Sequence, residues 1–599
     1  MSQENLEKQY GKFVLLLKSE QNRDGFWSGR LSSSALGTAV AIVALKINPN
    51  NSDDKLVTSG LIWLLDHINT DGGYGDTPES RSNISTSLLC YGAISYCGEG
   101  STSAEEALSR IRNYLLENKI DLSQGNITST ILEAYGNDYT FSVPILSMLV
   151  ICGVLDAETC RKIPQLPFEF ALLPARWYSL FNLRVVSYAI PALIAVGIFV
   201  FKNRRHHNPV MKWIRNRSIP SVMRKLGSIV PKSGGFLEAI PLTAFVAMCL
   251  YSAGQGNSEV ATEGISFLRN QQRPDGSWPI DTDLSTWVTT LSVKALGSQM
   301  ETVFSGIETD RIVSHLISIQ YKEIHPFNLA LPGGWGWTSF SGSVPDVDDT
   351  AGVILALLEL YRADNKINEA IISGCHWLTI LQNKDGGFPT FCKGWGRLPF
   401  DSSCSDLTGH ALLALSRSLD ILGNTMQPEL KRSLEQCIPR AFGFLWKNQQ
   451  DNGCWYPLWF GNQFTPEKKN PVYGTSKVFI YLKDSLLCAN LDVQMKKNIG
   501  QMLSKAQIYL LNQQNGDGSW GGETGTPGTI EECSLAISAL TARSNEACLK
   551  GFEWLENEYN KNGLRSNPIG LYFAMLWYDE KLYPLIYYVE ALRRFLKQT

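Results

Sequence analysis

The 599-residue sequence predicts an all-α fold, and three observations carry the prediction. A short signature recurs along the chain: glutamine, one or two polar residues, Asp-Gly, a small residue and an aromatic residue. Apolar residues at helical spacing stand before and after the copies, as in GISFLRNQQ and CSLAISALTAR. The period-two alternation that is typical of strands is almost absent. The repeating unit is therefore a helix, an Asp-Gly turn and a second helix.

The copies of this signature define the elements in order. They are QNRDGFW (21–27), QQRPDGSW (271–278), QNKDGGF (382–388), QQDNGCW (449–455) and QQNGDGSW (513–520), with degenerate copies NTDGGY (69–74) and PGGWGW (332–337). Asp-Gly supplies the turn because glycine tolerates a positive φ and aspartate bonds its own backbone. We expect the glutamine to hydrogen-bond near the start of the next helix and the aromatic ring to fill the gap between the two helices. Repeated helix pairs stack into an open solenoid or close into an α/α toroid.

The distribution of the copies indicates two helical domains. Copies are sparse between residues 74 and 271 and dense afterwards. We predict an N-terminal domain over residues 20–255 and a second domain over residues 256–599. Residues 1–19 are expected to pack with the second domain.

The composition excludes several classes of function. The chain has 54 Lys+Arg against 57 Asp+Glu, a net charge of −3, which predicts no nucleic-acid partner. It is 44% hydrophobic, too apolar for a disordered chain. Its 13 cysteines lack C-x-x-C and zinc-finger spacing, and residues 1–13 lack an apolar leader, so we expect reduced thiols in a cytosolic protein.

One apolar stretch suggests contact with a membrane. Residues 185–201, VVSYAIPALIAVGIFVF, form a run of seventeen residues that Ser187 and Pro191 interrupt. This run is shorter than the roughly 20 apolar residues that a membrane-spanning helix needs. A basic flank follows from Lys202 to Arg217. Two interpretations stay open: a segment held at the interface of an anionic membrane, or a buried helix followed by a solvated basic loop.

Three acids in PDVDDTA are the strongest candidates for chemistry. Asp346, Asp348 and Asp349 precede an apolar helix, and helix capping accounts for only one or two of them. Like charges this close resist joint ionisation, which suits a carboxylic acid that keeps its proton at neutral pH. A magnesium-binding cluster is the rival interpretation, but the spacing is D-x-D-D and no second acidic cluster accompanies it.

The repeats together with PDVDDTA resemble the class II terpene cyclases, in particular the squalene-hopene cyclases, over nearly the whole chain. The resemblance implies two α-barrel domains and a monotopic enzyme, peripheral on the cytoplasmic side of a membrane. It implies that Asp348 protonates a terminal alkene, with Asp346 and Asp349 in support. DLTGH matches the family's Asp-x-x-x-His segment, so Asp406 and His410 share a helical face, and a His410 cation is expected to stabilise the Asp348 carboxylate.

The resemblance also implies a cavity whose aromatic faces stabilise a carbocation. The implied cavity residues are Trp287, Trp337, Phe391, Trp459 and Tyr473, with Phe573, Trp577 or Tyr578 from a C-terminal run whose register is not fixed. The sequence departs from the family at several of these places. Phe391 stands where tyrosine is usual, Trp337 where phenylalanine is usual, and Leu237-Glu238 replaces a Gln-Pro pair that helps to position the terminating water. Residues 461–471 look like an insertion.

The resemblance therefore implies protonation-initiated cyclisation of a linear polyprenyl chain, with squalene the first candidate and a polycyclic triterpene the product. No metal or redox cofactor is expected for a hydrocarbon. The alternative is a prenyl diphosphate, which would need Mg²⁺, or an aromatic-headed meroterpenoid substrate. A zinc prenyltransferase subunit using Cys404, Asp406 and His410, and a toroid that only binds partners, are weaker alternatives. A hydrophobic isoprenoid and a membrane surface are the expected partners, and a homodimer stays open.

Overall fold

The structure is a computed structural model that describes residues 2–49, 53–122, 127–128, 131, 139–156, 161–173, 190–204, 208–391, 401–571 and 576–597. It is about 61% helical with 22 α-helices and few strands, so the all-α prediction is confirmed. In chain order the α-helices are α1 (Gln3–Ser19), α2 (Ala35–Lys46), α3 (Asp54–Asp66), α4 (Ile84–Cys97), α5 (Thr102–Glu117), α6 (Tyr139–Ile151), α7 (Ile190–Asn203), α8 (Pro209–Gly227), α9 (Ile240–Ser252), α10 (Glu259–Gln271), α11 (Ser285–Leu296), α12 (Gln299–Val303), α13 (Gly306–Ser318), α14 (Val347–Glu359), α15 (Asn365–Leu381), α16 (Ser405–Leu422), α17 (Pro428–Asn448), α18 (Pro471–Ser485), α19 (Val493–Asn512), α20 (Ile530–Leu540), α21 (Asn545–Asn562) and α22 (Tyr583–Leu596). The strands are β1 (Ser33–Ser34), β2 (Trp278–Pro279), β3 (Gly461–Asn462), β4 (Ile569–Leu571) and β5 (Leu576–Tyr578), and 3₁₀ turns cover Phe168–Leu172 and Phe236–Glu238.

The helices of the first barrel close into a ring. Among the described helices, α2, α4, α6, α7 and α9 each pack on the next, and α9 returns to α2. A helix that is apolar on every side has to be buried on every side, and α2 is buried from Gly37 to Leu45. The amphipathic helices α3, α5 and α10 lie outside this ring. Helix α10, which follows residue 255, packs on α9 and α2 of the first barrel.

The second barrel repeats this plan. Its inner helices α11, α14, α16, α18, α20 and α22 contact one another in that order, and α22 closes on α11. The outer helices α13, α15, α17, α19 and α21 alternate with them along the chain. Helix α1 packs on α22, and Leu6, Phe13 and Leu17 belong to the hydrophobic core of this barrel. The closed rings select the α/α toroid over the open solenoid; the predicted boundary at residues 255 and 256 stays a prediction.

The repeat signature works as a clamp between helices. The indole N–H of each signature tryptophan donates to a leucine carbonyl near the end of the preceding outer helix, as for Trp455 on Leu445 (3.0 Å) and Trp520 on Leu510 (2.7 Å). Gly518 has φ +91°, the left-handed conformation that the Asp-Gly turn predicts. The signature glutamine reaches farther than expected, because Gln514 Nε2 bonds both the Gly518 carbonyl and a carbonyl of the next outer helix.

Two small sheets join distant parts of the chain. Strands β1 and β2 pair antiparallel, and β3, β4 and β5 form an antiparallel sheet in that order. The second sheet brings the predicted insertion at residues 461–471 against the C-terminal run. In β5 the side chains alternate between the two faces of the sheet, so neighbouring residues of this strand have different surroundings.

The apolar stretch at residues 185–201 is an inner helix where the structure describes it. Residues 190–201 lie in α7 and are buried throughout. Residues 185–189 lie outside the described residues. The interpretation as a membrane-contacting segment is therefore wrong for residues 190–201, and the buried-helix interpretation holds there. No helix in the described ranges has both the length and the apolar character needed to cross a bilayer.

Candidate active site

A cavity of about 380 Å³ lies between the two barrels, within the range of roughly 300–1,000 Å³ that is usual for small-molecule sites. Its walls come from inner helices of both barrels and from the sheet β3–β5. Aliphatic side chains such as Leu36, Ile145 and Leu242 line the side of the first barrel. The aromatic lining residues are Phe245, Trp287, Trp337, Phe391, Trp459, Phe460, Tyr578 and Tyr583.

The three acids of PDVDDTA reach this cavity from the start of α14. Asp346 is the N-cap residue, and its Oδ1 accepts the backbone N–H of Asp349 at 2.8 Å. Burial raises the pKa of Asp346 to about 8, and the Asp348 charge acts in the same direction. Burial, followed by the charge of Asp346, raises the pKa of Asp349 well above its usual range. Both flanking acids therefore hold protons readily, while the Asp348 side chain keeps 16% of its surface exposed.

Asp348 meets the predicted histidine. Helix α16 lies beside α14, and His410 Nδ1 is 2.6 Å from Asp348 Oδ1. The His410 ring stacks on Tyr481 with centroids 4.6 Å apart, which fixes its plane. Burial lowers the pKa of His410, although the bond to Asp348 opposes this. The environment thus favours a neutral ring that donates its Nδ1–H to Asp348, in contrast to the cation that the resemblance implies.

Asp406 lies one helical turn before His410 on α16, as the spacing predicts. Its side chain is buried and accepts a hydrogen bond from the Cys404 thiol, and it does not line the cavity. Burial raises the pKa of Asp406 to about 6, and the Asp348 charge adds to the effect. Asp406 therefore lies on the same helix as His410 but outside the wall of the cavity. In the part of the chain that the structure describes, no three His, Cys, Asp or Glu side chains form a group that could hold a metal ion.

Five of the predicted aromatic residues line the cavity: Trp287, Trp337, Phe391, Trp459 and Tyr578. Trp287 stands on α11, and Trp337, Phe391 and Trp459 follow the repeat turns of the second barrel. The Phe391 ring centroid lies 6.1 Å from that of Trp337 and 5.4 Å from that of Trp459. The Trp459 indole N–H donates to Thr390 Oγ1 at 2.9 Å, so its polar edge is satisfied in the wall.

Two other predicted cavity residues fall elsewhere. Tyr473 is buried behind Phe460, on which it stacks with centroids 4.4 Å apart. In β5, Leu576 and Tyr578 line the cavity, whereas Trp577 lies on the opposite face of the strand and donates its backbone N–H to Asp76. Phe573 lies outside the described residues.

The structure also brings in residues that sequence reasoning missed. Phe460 and Tyr583 line the cavity. Phe460 could have been predicted, because it directly follows the predicted cavity residue Trp459 in the run WYPLWF. Asp281 lines the wall as well, 3.5 Å from the Trp337 indole nitrogen. Lys477 is buried on α18 in the otherwise uncharged run VYGTSKVFIYL. A charge in the middle of such a run was the signal that could have selected it.

Comparison with known proteins agrees with this arrangement. Residues 13–220 match the squalene-hopene cyclase N-terminal domain, residues 173–324 the prenyltransferase alpha-alpha toroid domain, and residues 326–569 the squalene-hopene cyclase C-terminal domain. The chain belongs to the squalene-hopene cyclase family, among the class II terpene cyclases. It is 27% identical to the squalene-hopene cyclase of Bradyrhizobium diazoefficiens over 91% of this chain and 87% of the relative. It is 23% identical to the sporulenol synthase of Bacillus subtilis, over 76% of each chain.

Other members of the family are longer. The enfumafungin synthase of Hormonema carpetanum is 24% identical over 93% of this chain but only 46% of the relative, and the terpene cyclase-glycosyl transferase fusion protein of Humicola fuscoatra is matched over 49% of its length. This chain therefore spans about half of each of these two relatives. Among solved structures, the ent-copalyl diphosphate synthase of Streptomyces platensis superposes with a TM-score of 0.57 at 16% identity, covering 99% of both chains. That likeness concerns the fold.

Proposed function

We propose that this family member is a cyclase that protonates the terminal double bond of a linear isoprenoid hydrocarbon, with squalene as the first candidate and a polycyclic triterpene as product. One observation carries the proposal: Asp348 enters an aromatic cavity while a buried histidine holds its other side at 2.6 Å. The acid has a fixed orientation, and the space before it is apolar.

The first step is a proton transfer from the Asp348 carboxyl to the terminal alkene. The π electrons form the new C–H bond, the positive charge develops on the more substituted carbon, and Asp348 becomes a carboxylate. His410 Nδ1–H then donates to that carboxylate. Because Asp346 and Asp349 hold their protons readily, they add little negative charge beside the donor. The local field therefore allows Asp348 to become the carboxylate.

The second requirement is to keep the carbocation alive while the rings form. A base or a stray water would end the reaction early, and aromatic faces stabilise a cation without reacting with it. Trp287, Phe391 and Trp459 present such faces along the cavity. In the proposed reaction no metal or redox cofactor takes part, because protonation alone generates the electrophile.

The apolar wall supports a hydrocarbon substrate over one with a charged head. The name of the squalene-hopene cyclase relative points the same way. The alternative substrates are a prenyl diphosphate and an aromatic-headed prenyl chain. Turnover of either one in place of squalene would identify it as the substrate.

The test is incubation of the purified protein in detergent with squalene in D₂O, with products analysed by gas chromatography and mass spectrometry. We expect cyclised C30 products that carry a deuteron from the initial protonation, and no product from the Asp348→Asn variant. Wild-type protein that is folded but turns over only geranylgeranyl diphosphate with Mg²⁺, or only an aromatic-headed chain, overturns the proposal for squalene.

We further infer that α8 is the contact with a membrane, from which a hydrocarbon substrate is delivered. Trp213 and Val210 on this helix are 64% and 62% exposed, and Phe170 and Leu172 of the neighbouring 3₁₀ turn are also exposed. Arg215 bonds Glu169 at 3.0 Å and joins the helix to that turn. Exposed apolar side chains beside basic ones suit an anionic lipid surface. The exposed basic residues of α8 are Lys212, Arg217 and Arg224.

A further inference from the structure

Helix α18 carries a buried lysine, Lys477, that has no ion-pair partner in the part of the chain that the structure describes. Lys477 of α18 is 2% exposed, and among the described residues its Nζ has no hydrogen-bond acceptor. Instead the ammonium group is surrounded by aromatic rings at 5.3–5.9 Å from their centroids. These rings belong to Trp287, Tyr473, Tyr481 and Tyr587.

Such a placement is costly, because an ammonium group loses its hydration and gains no direct partner. The neighbouring Lys294 shows the usual solution, since its Nζ lies 3.3 Å from the Glu590 carboxylate. Lys477 has only the ring faces and more distant carboxylates to stabilise it. Burial lowers the pKa of Lys477 to about 8, and the charges of Asp348, Glu590 and Asp406 oppose that fall.

We propose that Lys477 is a positioning residue whose buried positive charge stabilises the carboxylate that Asp348 becomes after it has donated its proton. The inference rests on the proposed function of Asp348. In a dry interior a charge acts over several ångströms with little screening. Lys477 thus supplies the cation that the resemblance assigns to His410, while His410 stays a neutral hydrogen-bond donor.

The electrostatics of the neighbours agree with this division of roles. The Lys477 charge favours the neutral ring of His410 and the ionised form of Asp406. Five inner helices of the second barrel, α11, α14, α16, α18 and α22, place titratable or charged groups around the lysine. The titratable and charged groups that act on it or face it are Lys294 on α11, Asp348 on α14, Asp406 and His410 on α16, Tyr473 and Tyr481 on α18, and Tyr587 and Glu590 on α22.

The position of Lys477 also keeps its charge away from the substrate cation. The lysine does not line the cavity, whereas Trp287, over whose ring it sits, does. Because Lys477 is not part of the wall, its charge is farther from a carbocation in the cavity than the charge of a lining lysine would be. A lysine in the wall itself would oppose the carbocation that the acid creates.

The decisive variant is Lys477→Met, which keeps an unbranched side chain and removes the charge, compared with Lys477→Arg, which restores it. The readout is the ratio of turnover of squalene to turnover of its 2,3-epoxide, because an epoxide is a stronger base and needs a weaker acid. We expect Lys477→Met to lower the turnover of squalene by about tenfold or more and to lower the turnover of the epoxide by a smaller factor. Lys477→Arg should recover most of the lost turnover. Lys483→Met, the same change on the same helix where Nζ bonds the Thr541 carbonyl, is the matched control and should leave the ratio unchanged.

A measurement without turnover separates this inference from the proposed substrate. The infrared C=O stretch of the protonated carboxyl, assigned by its loss in Asp348→Asn, is followed against pH. Loss of the Lys477 charge should move the disappearance of this band to higher pH by about one unit or more. An unmoved band, or equal loss on both substrates, overturns the inference. If wild-type protein cyclises neither substrate but the band moves, the proposed substrate fails and the role of Lys477 stands. Lys477→Gln replaces Lys477→Met if that variant does not fold.

Discussion

Asp348 and His410 are 62 positions apart in sequence, yet their side chains meet at 2.6 Å because α14 and α16 are neighbouring inner helices of the second barrel. The contact joins the start of one inner helix to the second turn of the next. Asp348 reaches the cavity, whereas His410 is 4% exposed at its side chain and stays behind the wall. The histidine can therefore orient the acid without touching a substrate.

This contact predicts the kinetics of a histidine variant. Replacing His410 with phenylalanine removes the donor to Asp348 but keeps a flat ring that can stack on Tyr481. We expect kcat to fall by about a hundredfold or more with KM nearly unchanged, because the lost interaction strengthens only as the carboxylate forms. Steady-state kinetics on the substrate that the wild type accepts check this. A rise in KM with constant kcat contradicts the assignment.

The aromatic wall predicts a change of product as well as of rate. Trp459→Leu keeps an apolar wall but removes a ring face, which costs the cation about 0.5–2 kcal/mol and lowers turnover roughly two- to thirtyfold. Partly cyclised products should increase, because a less stable cation is quenched earlier. Trp577→Leu is the matched control, since Trp577 lies on the far face of β5. Equal effects of both substitutions would point to general damage.

The sequence was sufficient for what is local and insufficient for what depends on long-range pairing. Asp-Gly turns followed by an aromatic residue fix the helix pairs, because the turn and its clamp lie within ten residues of each other. The D-x-D-D acids and the histidine could be assigned from a motif. The faces of Trp577 and Tyr578 could not be assigned, because β5 takes its register from its pairing with β4. Lys477 was missed because its aromatic neighbours come from helices α11, α18 and α22.

The tryptophan clamp predicts a large effect on stability. Trp455 is fully buried and its indole N–H donates to the Leu445 carbonyl. Trp455→Phe should lower the free energy of unfolding by about 1–3 kcal/mol, because the indole hydrogen bond and part of the buried ring are lost while the Leu445 carbonyl keeps the N–H of Gln449. Trp455→Ala should lower it by about 3–5 kcal/mol, because it also leaves a larger cavity. Denaturant unfolding followed by circular dichroism measures both. Trp446→Ala, at a residue 45% exposed, should stay within about 0.5 kcal/mol.

The buried acid Asp346 predicts how stability depends on pH. Its pKa is about 8 in the fold against about 3.9 in an unfolded chain, so the protonated form is favoured by folding. This contribution is fully present below about pH 4 and is lost as pH rises towards 8. Asp346→Asn stays neutral and can still cap the Asp349 N–H.

The slope of unfolding free energy against pH in this window should therefore be less negative in Asp346→Asn, by up to about 1.4 kcal/mol per pH unit. Thermal unfolding at pH 5 and pH 8 checks the difference. Asp364→Asn alters an exposed N-cap of α15 and should leave the slope as it is in the wild type. Parallel curves for wild type and Asp346→Asn would show that Asp346 is ionised throughout.

The exposed face of α8 predicts binding to lipid. Trp213→Ser removes an indole that is 64% exposed, and because it makes no core contact the fold should be unaffected. We expect sedimentation with vesicles of phosphatidylglycerol to fall several-fold, and more at high salt where the attraction of Lys212 and Arg217 to the lipid is screened. Trp446→Ser removes a comparably exposed tryptophan from α17, outside this face, and should bind as the wild type does. Turnover of detergent-dispersed substrate should survive in Trp213→Ser, whereas delivery from vesicles should slow. Unchanged vesicle binding would assign the exposed tryptophan to some other contact.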